Sequence, residues 1–501
     1  MKFQTTFLLF LSLTLTLILT ASSIVAEDKN AAIPNVLFIM VDEMRADALG
    51  VAAKDSPYQT PTLDRLAAEG VRFSQAYTVA AVCVSSRYSF FTSRYSHVHG
   101  AVNNNIKIRE PQILLPSIMK KLGYETAISG KLHFSPNNLD YDFDYFWSFS
   151  SEGPKKLQTW PQYLAEKYKP AERKVTEQPF PGHRLGGDLG KLTYPQEDTQ
   201  SSWITDRAVE FFSLRDKSKP FFLFVSYLEP HSPSHLAEPY WSQYLAEKEK
   251  VKLSPTFVPN REPASEDEIE RRGRGWVSDP NIAKAMTAAY HIKVKAIDDN
   301  IKRLLDGLKK AELEEDTLVI FTSDHGNMLG DHNRWFKGVT YDGSSRIPLI
   351  FKAPKSSAYA KTFNNGKTVD KLVESIDVAP TLLEIIGKPL PDDPGFQGKS
   401  LVRLAAGDDS DWENVVFSER TGMFVRAGQY KFVRYDRDNG TIDYQLFDLK
   451  DDPLETKNLI HNAELKSVVD DLKQKLETWQ NENPDVPKYH GLEPKFSPED
   501  T

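Results

Sequence analysis

Continuous apolar runs that stop at a polar residue recur along this chain. Val36 to Val41 ends at Asp42, and Leu318 to Phe321 leads into Ser323-Asp324-His325-Gly326. Short runs without alternation predict strands buried on both faces. Thr126 to Ser129, before Gly130-Lys131, and Phe221 to Tyr227 read the same way. Segments of helical character lie between them. Thr60 caps a helix that starts at Pro61 and stops at Gly70, and Pro116 to Leu122 is closed by Gly123. Ser201 to Phe212 and the long stretch Asn281 to Leu308 follow. This alternation predicts an α/β fold: a large, mainly parallel sheet covered by helices on both faces.

The pattern changes after about Gly398. Val415 to Ser418, Met423 to Ala427, Tyr430 to Tyr435 and Tyr444 to Leu449 predict short strands, with Asn439-Gly440 as a hairpin turn. Leu465 to Trp479 reads as an amphipathic helix. We therefore expect a targeting segment over 1–26, a large α/β domain over 27–398 and a smaller antiparallel α+β subdomain over 399–501. Two stretches, about 135–200 and 232–280, are rich in Pro, charge and aromatics and read as loop insertions.

Polar residues gather just after the predicted strands: Asp42, Glu43, Lys131, His133, His231, Asp324 and His325. Open α/β sheets place ligands at that edge. The 501 residues carry 62 Lys+Arg against 70 Asp+Glu, a net charge of -8. Such a chain is a poor general binder of nucleic acid or anionic membranes, so an anionic substrate needs a local basic site.

Lys2, the apolar run Phe7 to Leu19, and Ala21 and Ala26 ahead of Glu27-Asp28-Lys29 read as a signal peptide. The expectation is export, to a periplasm or outside the cell, with no stable membrane anchor. Cys83 is the only cysteine, so the chain forms no internal disulfide. An odd thiol in an exported chain is either reactive or a buried structural residue. The lack of disulfides, with Asn439-Gly440-Thr441 as the single glycosylation sequon, favours a bacterial periplasm.

The segment Cys83-Val84-Ser85-Ser86-Arg87, followed by Thr92-Ser93, resembles the signature of the formylglycine-dependent sulfatases, type I members of the alkaline-phosphatase-like superfamily. Their pattern is Cys-x-Pro-Ser-Arg, then Thr-Gly. Ser85 replaces the Pro, a position read by the modifying enzyme, and Ser93 replaces the Gly. Further blocks follow in family order. Asp42-Glu43 stands at the first acidic pair. Gly130-Lys131-Leu132-His133 and Pro230-His231-Ser232-Pro233 come next. Asp324-His325 is the second metal block, with His where many members have Asn. Gly330-Asp331-His332 and Lys337 complete the set. Phe447-Asp448-Leu449, Asp452-Pro453-Leu454-Glu455 and Asn458-Leu459 resemble the family's C-terminal domain.

The resemblance implies an alkaline-phosphatase-like fold, with the α/β domain over 27–398 as the catalytic one, and a sulfuric ester hydrolase. Cys83 would be converted to formylglycine (3-oxoalanine) by a formylglycine-generating enzyme. The hydrated aldehyde would attack sulfur and later expel sulfate, a return path closed to a thiol. Asp42, Asp324 and Glu43 offer hard oxygens that suit Ca²⁺, and the nitrogen of His325 leaves Mg²⁺ or Mn²⁺ open. Arg87, Lys131 and Lys337 would hold the sulfate charge. His231 is the implied acid for the leaving alcohol and His133 the base that expels sulfate, although the two roles are exchangeable. His97, His99, His332 and Arg334 lie nearby in sequence, with structural and functional roles equally open.

The expected substrate is a sulfated carbohydrate, as in polysaccharide degradation. Lys155, Lys156, Trp160, His183 and Arg184 in one insertion, and Arg271, Arg272, Arg274 and Trp276 in the other, are candidate sugar-sulfate contacts. Two other readings stand beside this one. The first is a phosphodiesterase or phosphonate monoester hydrolase of the same superfamily. The second is a non-catalytic sulfated-glycan-binding protein.

Overall fold

Strand β1 (Asn35–Asp42) is buried along its whole length and sits near the middle of a nine-stranded sheet. A computed structural model describes residues 33–482, apart from 105, 110, 111, 152, 153, 155, 156, 184, 262–274, 392–394 and 438. The expected signal peptide lies outside the described residues. No described helix is long and apolar enough to cross a membrane.

The remaining strands of this sheet are β2 (Val71–Tyr77), β3 (Glu125–Gly130), β4 (Tyr145–Ser148), β7 (Phe221–Pro230), β9 (Thr317–Ser323), β10 (Arg346–Ile347), β11 (Leu349–Lys352) and β12 (Lys367–Glu374). The order is β10-β2-β11-β9-β1-β7-β3-β4, with β12 also pairing β2. β1 runs parallel to β7 and β9, and β3 runs parallel to β4 and β7. β11 opposes both β9 and β2. β2 therefore points the same way as β1, and its C-terminal end reaches the same edge.

Alternate residues of the central strands feed separate cores. Leu37, Ile39 and Val41 pack with Leu223, Val225 and Phe321 under the helices Gln200–Leu214 and Pro280–Lys310. Val36, Phe38 and Met40 pack on the other face with Tyr88, Phe90 and Phe91 of helix Cys83–Thr92 and with Leu382 and Leu383 of helix Val378–Ile385. Burial on both faces is why these strands read as unbroken apolar runs.

Thr60 does not cap helix Pro61–Glu69. Its hydroxyl accepts from Gly50 N and donates to Asp64, while Asp298 of the long helix accepts from the backbone of Thr62 (3.0 Å) and Leu63 (2.9 Å). The two insertions also hold more structure than loops. The first contributes β4 to the main sheet. Together they form a three-stranded sheet of β5 (Val175–Thr176), β6 (Leu189–Leu192) and β8 (Ser234–Leu236), with helices Trp160–Lys167 and Tyr240–Glu247.

Strands β13 (Val415–Glu419), β14 (Met423–Ala427), β15 (Tyr430–Asp436) and β16 (Ile442–Asp448) make an antiparallel meander. Gly440 takes a φ of 79° in the last hairpin, as the Asn-Gly turn requires. Helix Lys466–Asn481 packs Leu472, Leu476 and Trp479 against Val425, Phe432 and Leu446, in a cluster shared with Val79, Tyr95 and Ile376. Glu374 also ties the meander to the main sheet. Its carboxylate accepts from Tyr95 Oη (2.7 Å) and from the backbone of Phe417 (2.6 Å). Burial and the neighbouring Asp377 push its pKa up to about 8.

Candidate active site

The ends of β1 and β9 meet. Asp324 N donates to Val41 O at 3.2 Å, and Glu43 N and His325 N both donate to Asp324 Oδ1. Glu43 adopts a φ of 73°, a strained conformation for a non-glycine residue, held by its N–H on Asp324 Oδ1 and by Tyr290 Oη donating to its carbonyl. Both carboxylate oxygens of Glu43 are buried and make no hydrogen bond among the described residues. Lys337 Nζ stands 3.4 Å from one of them.

Cys83 begins the helix that follows β2, so its thiol faces the same edge. Asn104 Oδ1 accepts from Val84 N, satisfying one free donor of the first turn. Ser86 Oγ accepts from Thr78 Oγ1 and donates to Asp324 O (2.5 Å), which seats the helix on the end of β9. Arg87 is fully buried and binds in four directions. Nε donates to Asp324 Oδ2 at 2.8 Å and Nη2 to Asp42 Oδ2 at 3.3 Å. Nη1 donates to Lys131 O and Ser226 Oγ, both at 2.9 Å. At the far end of the helix Ser93 has a φ of 53° and donates to Ile376 O. That left-handed cap position is one that favours Gly.

Lys131 follows Gly130, where a Cβ would come within 1.9 Å of Ser226 O, so only glycine brings β3 this close to β7. Lys131 Nζ reaches Asp42 Oδ2 at 2.6 Å. Burial alone would raise the Asp42 pKa, but Lys131, His231, Arg87 and His325 hold it well below the usual carboxylate range.

His325 Nδ1 donates to Gly326 O at 3.0 Å, which leaves Nε2 as the acceptor nitrogen. That nitrogen lies 3.1 Å from Cys83 Sγ and 3.6 Å from a carboxylate oxygen of both Asp42 and Asp324. Asp42, Cys83, Asp324 and His325 thus converge with ligand atoms within 4.8 Å of one another. Burial and the Asp42 charge push the Cys83 thiol up to about 12.

His231 follows β7. Its Nδ1 donates to Ser232 O (2.6 Å), and Nε2 faces Lys337 Nζ at 2.6 Å. Burial and Lys337 hold the imidazole well below its ordinary pKa. The pKa of Lys337 is raised: Cys83, Glu43 and Asp42 outweigh its burial. His133 has a φ of 59°, a buried Nδ1 without a hydrogen bond, and a pKa pushed well down by burial, Lys131 and Arg87.

The fold gathers these residues with Ser226, Asn104 and Lys293, which leave no local signal in the sequence because their places depend on contacts from distant elements. Arg45 is another; it pairs with Asp331 at 2.7 Å and braces the segment after Glu43. The open histidines take structural places. His97 pairs with Glu419, His99 bonds Ser89, and His332 donates to Leu454 O. Arg334 lies over the Tyr341 ring. In the insertions, Trp160 donates to Asp198 O, His183 Nδ1 accepts from Leu185 and Gly186, and Trp276 bridges Arg334. Lys155, Lys156, Arg184, Arg271, Arg272 and Arg274 lie outside the described residues.

A buried arginine between two strand-end carboxylates, with lysines and histidines at the same edge, makes a site for an anionic ester. Sequence comparison agrees with this class. The Sulfatase profile matches residues 34–388, and that of the N-sulphoglucosamine sulphohydrolase C-terminal region matches 330–482. The chain is 30% identical over 468 residues to an arylsulfatase of Clostridium perfringens, covering 88% of this chain and 93% of that one. It is 24% identical over 522 residues to an N-acetylglucosamine-6-O-sulfatase of Bacteroides thetaiotaomicron, covering 90% and 87%. In fold it is similar to the phosphonate monoester hydrolase of Agrobacterium radiobacter. That match has a TM-score of 0.75 at 22% identity, covering 90% of this chain and 96% of the other. The chain belongs to the sulfatase family and has the alkaline-phosphatase-like fold. It is a sulfuric ester hydrolase.

Proposed function

We propose that this enzyme is exported and removes sulfate from a carbohydrate, using formylglycine made from Cys83 and one divalent ion, Ca²⁺ by preference. The observation that carries the site reading is the four-way grip of buried Arg87, which fixes Asp42, Asp324 and the Lys131 backbone around Cys83. Asp42, Asp324 and His325 would hold the ion, with Glu43 as a further donor. They fit it, since the donor atoms converge and both Glu43 oxygens are buried without a hydrogen bond among the described residues. His325 supplies a nitrogen that Mg²⁺ or Mn²⁺ would also accept. When bound, the ion would offset negative charge on a sulfate oxygen and lower the pKa of the nucleophile. Formylglycine, once hydrated, would supply an oxygen nucleophile with a second hydroxyl for the return step, which a thiol lacks.

In this reading Arg87, Lys131 and Lys337 hold the ester's charge. His231 Nε2 gives a proton to the leaving oxygen, and His133 takes the proton that releases sulfate. An anion beside Lys337 opposes its charge and so favours the protonated imidazole of His231. We assign catalysis to residues 27–398 and a supporting role to the subdomain 399–501. A sugar substrate is supported by the N-acetylglucosamine-6-O-sulfatase relative. Sulfate release measured over a panel of sulfated mono- and oligosaccharides, beside 4-nitrophenyl sulfate and a phenyl phosphonate ester, tests the reading. Preference for the phosphonate ester, or no release from any sugar, would overturn it.

A further inference from the structure

Lys293 lies on the long helix Pro280–Lys310, between the buried Ile292 and Val294 in the chain, and is only 2% exposed. Burying an ammonium group is costly unless it is hydrogen-bonded. Its hydrogen bonds among the described residues go to two backbone carbonyls, those of His231 and of Pro233, the latter at 2.9 Å. Burial draws its pKa down to about 8, while Glu229, Glu43, Asp42 and Asp188 pull the other way.

The two carbonyls flank Ser232. Its carbonyl accepts from His231 Nδ1 at 2.6 Å and so fixes both the ring plane and the tautomer of that histidine. His231 N is anchored too, donating to Asp42 O at 3.2 Å and Leu228 O at 3.0 Å. Three successive residues of this loop are thus held at defined points, and the carbonyl that aims the imidazole sits between the two gripped by the lysine. Without the ammonium, the carbonyls of 231 and 233 would lose the donor they share among the described residues. The peptides between them would have to turn, carrying Ser232 O away from Nδ1.

We infer that Lys293 is a positioning residue for His231: it clamps the 231–233 backbone so that Nε2 points at the leaving oxygen and at Lys337. This rests on the reading of His231 as the acid for the leaving group. A lysine that merely stabilised the fold would affect all substrates alike. One that aims the acid matters most where the leaving oxygen needs a proton.

The test compares 4-nitrophenyl sulfate, whose phenolate leaves without help, with a sugar 6-sulfate, whose alkoxide does not. Lys293→Met keeps the length and apolar stem of the side chain and removes the donors. We expect kcat on the sugar sulfate to fall roughly 100-fold, in the range of a lost general acid, and kcat on 4-nitrophenyl sulfate to fall less than about threefold. Lys293→Arg, which can donate to both carbonyls, should restore most of the sugar activity. Adding Lys293→Met to His231→Ala should cost nothing further. Should the Met variant not fold, Lys293→Gln, a shorter and neutral donor, and Lys293→Arg decide the same ratio, with Gln expected to discriminate and Arg not.

Equal losses on both substrates, or an additive double variant, would overturn the inference while leaving the His231 reading in place, provided His231→Ala itself discriminates between the substrates. If His231→Ala shows no such discrimination, the acid assignment falls and this inference falls with it.

Discussion

Lys337 Nζ and His231 Nε2 stand 2.6 Å apart, although 106 residues separate them in the chain. Ser232 O already engages the other ring nitrogen, so the lysine donates and the neutral histidine accepts. The pair couples the group that holds the anion to the group that moves a proton. Lys337→Ala should lower kcat/KM on aryl and sugar sulfates alike, by roughly 100-fold or more, because it removes charge that faces the ester itself. Steady-state kinetics on both substrates measure this. A loss confined to the sugar substrate would contradict the role.

The two histidines should separate by half-reaction. His231→Ala should slow poor leaving groups most, and His133→Ala should leave sulfated enzyme to accumulate. Each loss should be about 100- to 10,000-fold on a sugar sulfate. Intact-mass measurement after rapid quenching detects the trapped adduct. Near-normal rates in both variants would refute the assignment.

Cys83→Ala should abolish turnover, and mass spectrometry of the peptide spanning Cys83 should show an aldehyde in place of the thiol in active enzyme. Ser85 is buried and its hydroxyl has no hydrogen-bond partner among the described residues. It is also the third residue of the helix, in the first turn, where a backbone N–H has no intrahelical acceptor. Ser85→Pro should therefore keep the fold, with Tm shifted by only a few degrees, and raise the modified fraction when the modifying enzyme is limiting. A lower fraction would show that the departure from Pro does not hinder modification.

Asp324→Ala should remove the divalent ion and the activity together. It also strips Arg87 of its closest partner, at 2.8 Å, so Asp324→Asn is the gentler companion. Elemental analysis with thorough chelation checks both variants against the unaltered enzyme. Full activity in metal-free protein would refute the metal assignment.

Glu374 should make stability fall as pH rises. Burial and Asp377 raise its pKa to about 8 in the folded protein, so the folded state binds the extra proton. The stability it contributes is complete below the ordinary carboxyl pKa and is lost as pH climbs through about 8. Asp377, raised to about 6 by burial, acts in the same direction. Tm should drop by a few degrees between about pH 5 and 8. Glu374→Gln, neutral throughout, should flatten that drop. An unchanged slope in this variant would remove Glu374 as the cause.

The parts of the site that could be read from the chain are those attached to buried strands. Val36 to Val41 and Leu318 to Phe321 announce themselves by lacking polar residues, so Asp42 and Asp324 stand out at their ends. Other parts depend on tertiary contacts with no local trace. Lys293 lies on a helix that also carries Lys284, Lys295 and Lys302, and only the packing tells it from a solvated neighbour. Asp298 caps a helix whose first residues lie more than 230 positions away. Strands β5, β6 and β8 are two to four residues long, too short for alternation to show, so that small sheet read as loop.

The burial of Cys83, only 1% exposed, sets an order of events. The helix that carries it is locked by Ser86 and Arg87 onto β9, more than 230 residues downstream. A second enzyme that has to close around that side chain meets it most readily before β9 is in place. If Cys83 is oxidised, its oxidation is favoured ahead of the completion of the sheet. A chain that folds first would be well formed, resistant to later repair and without turnover, so the active yield becomes a race between two clocks rather than a matter of stability.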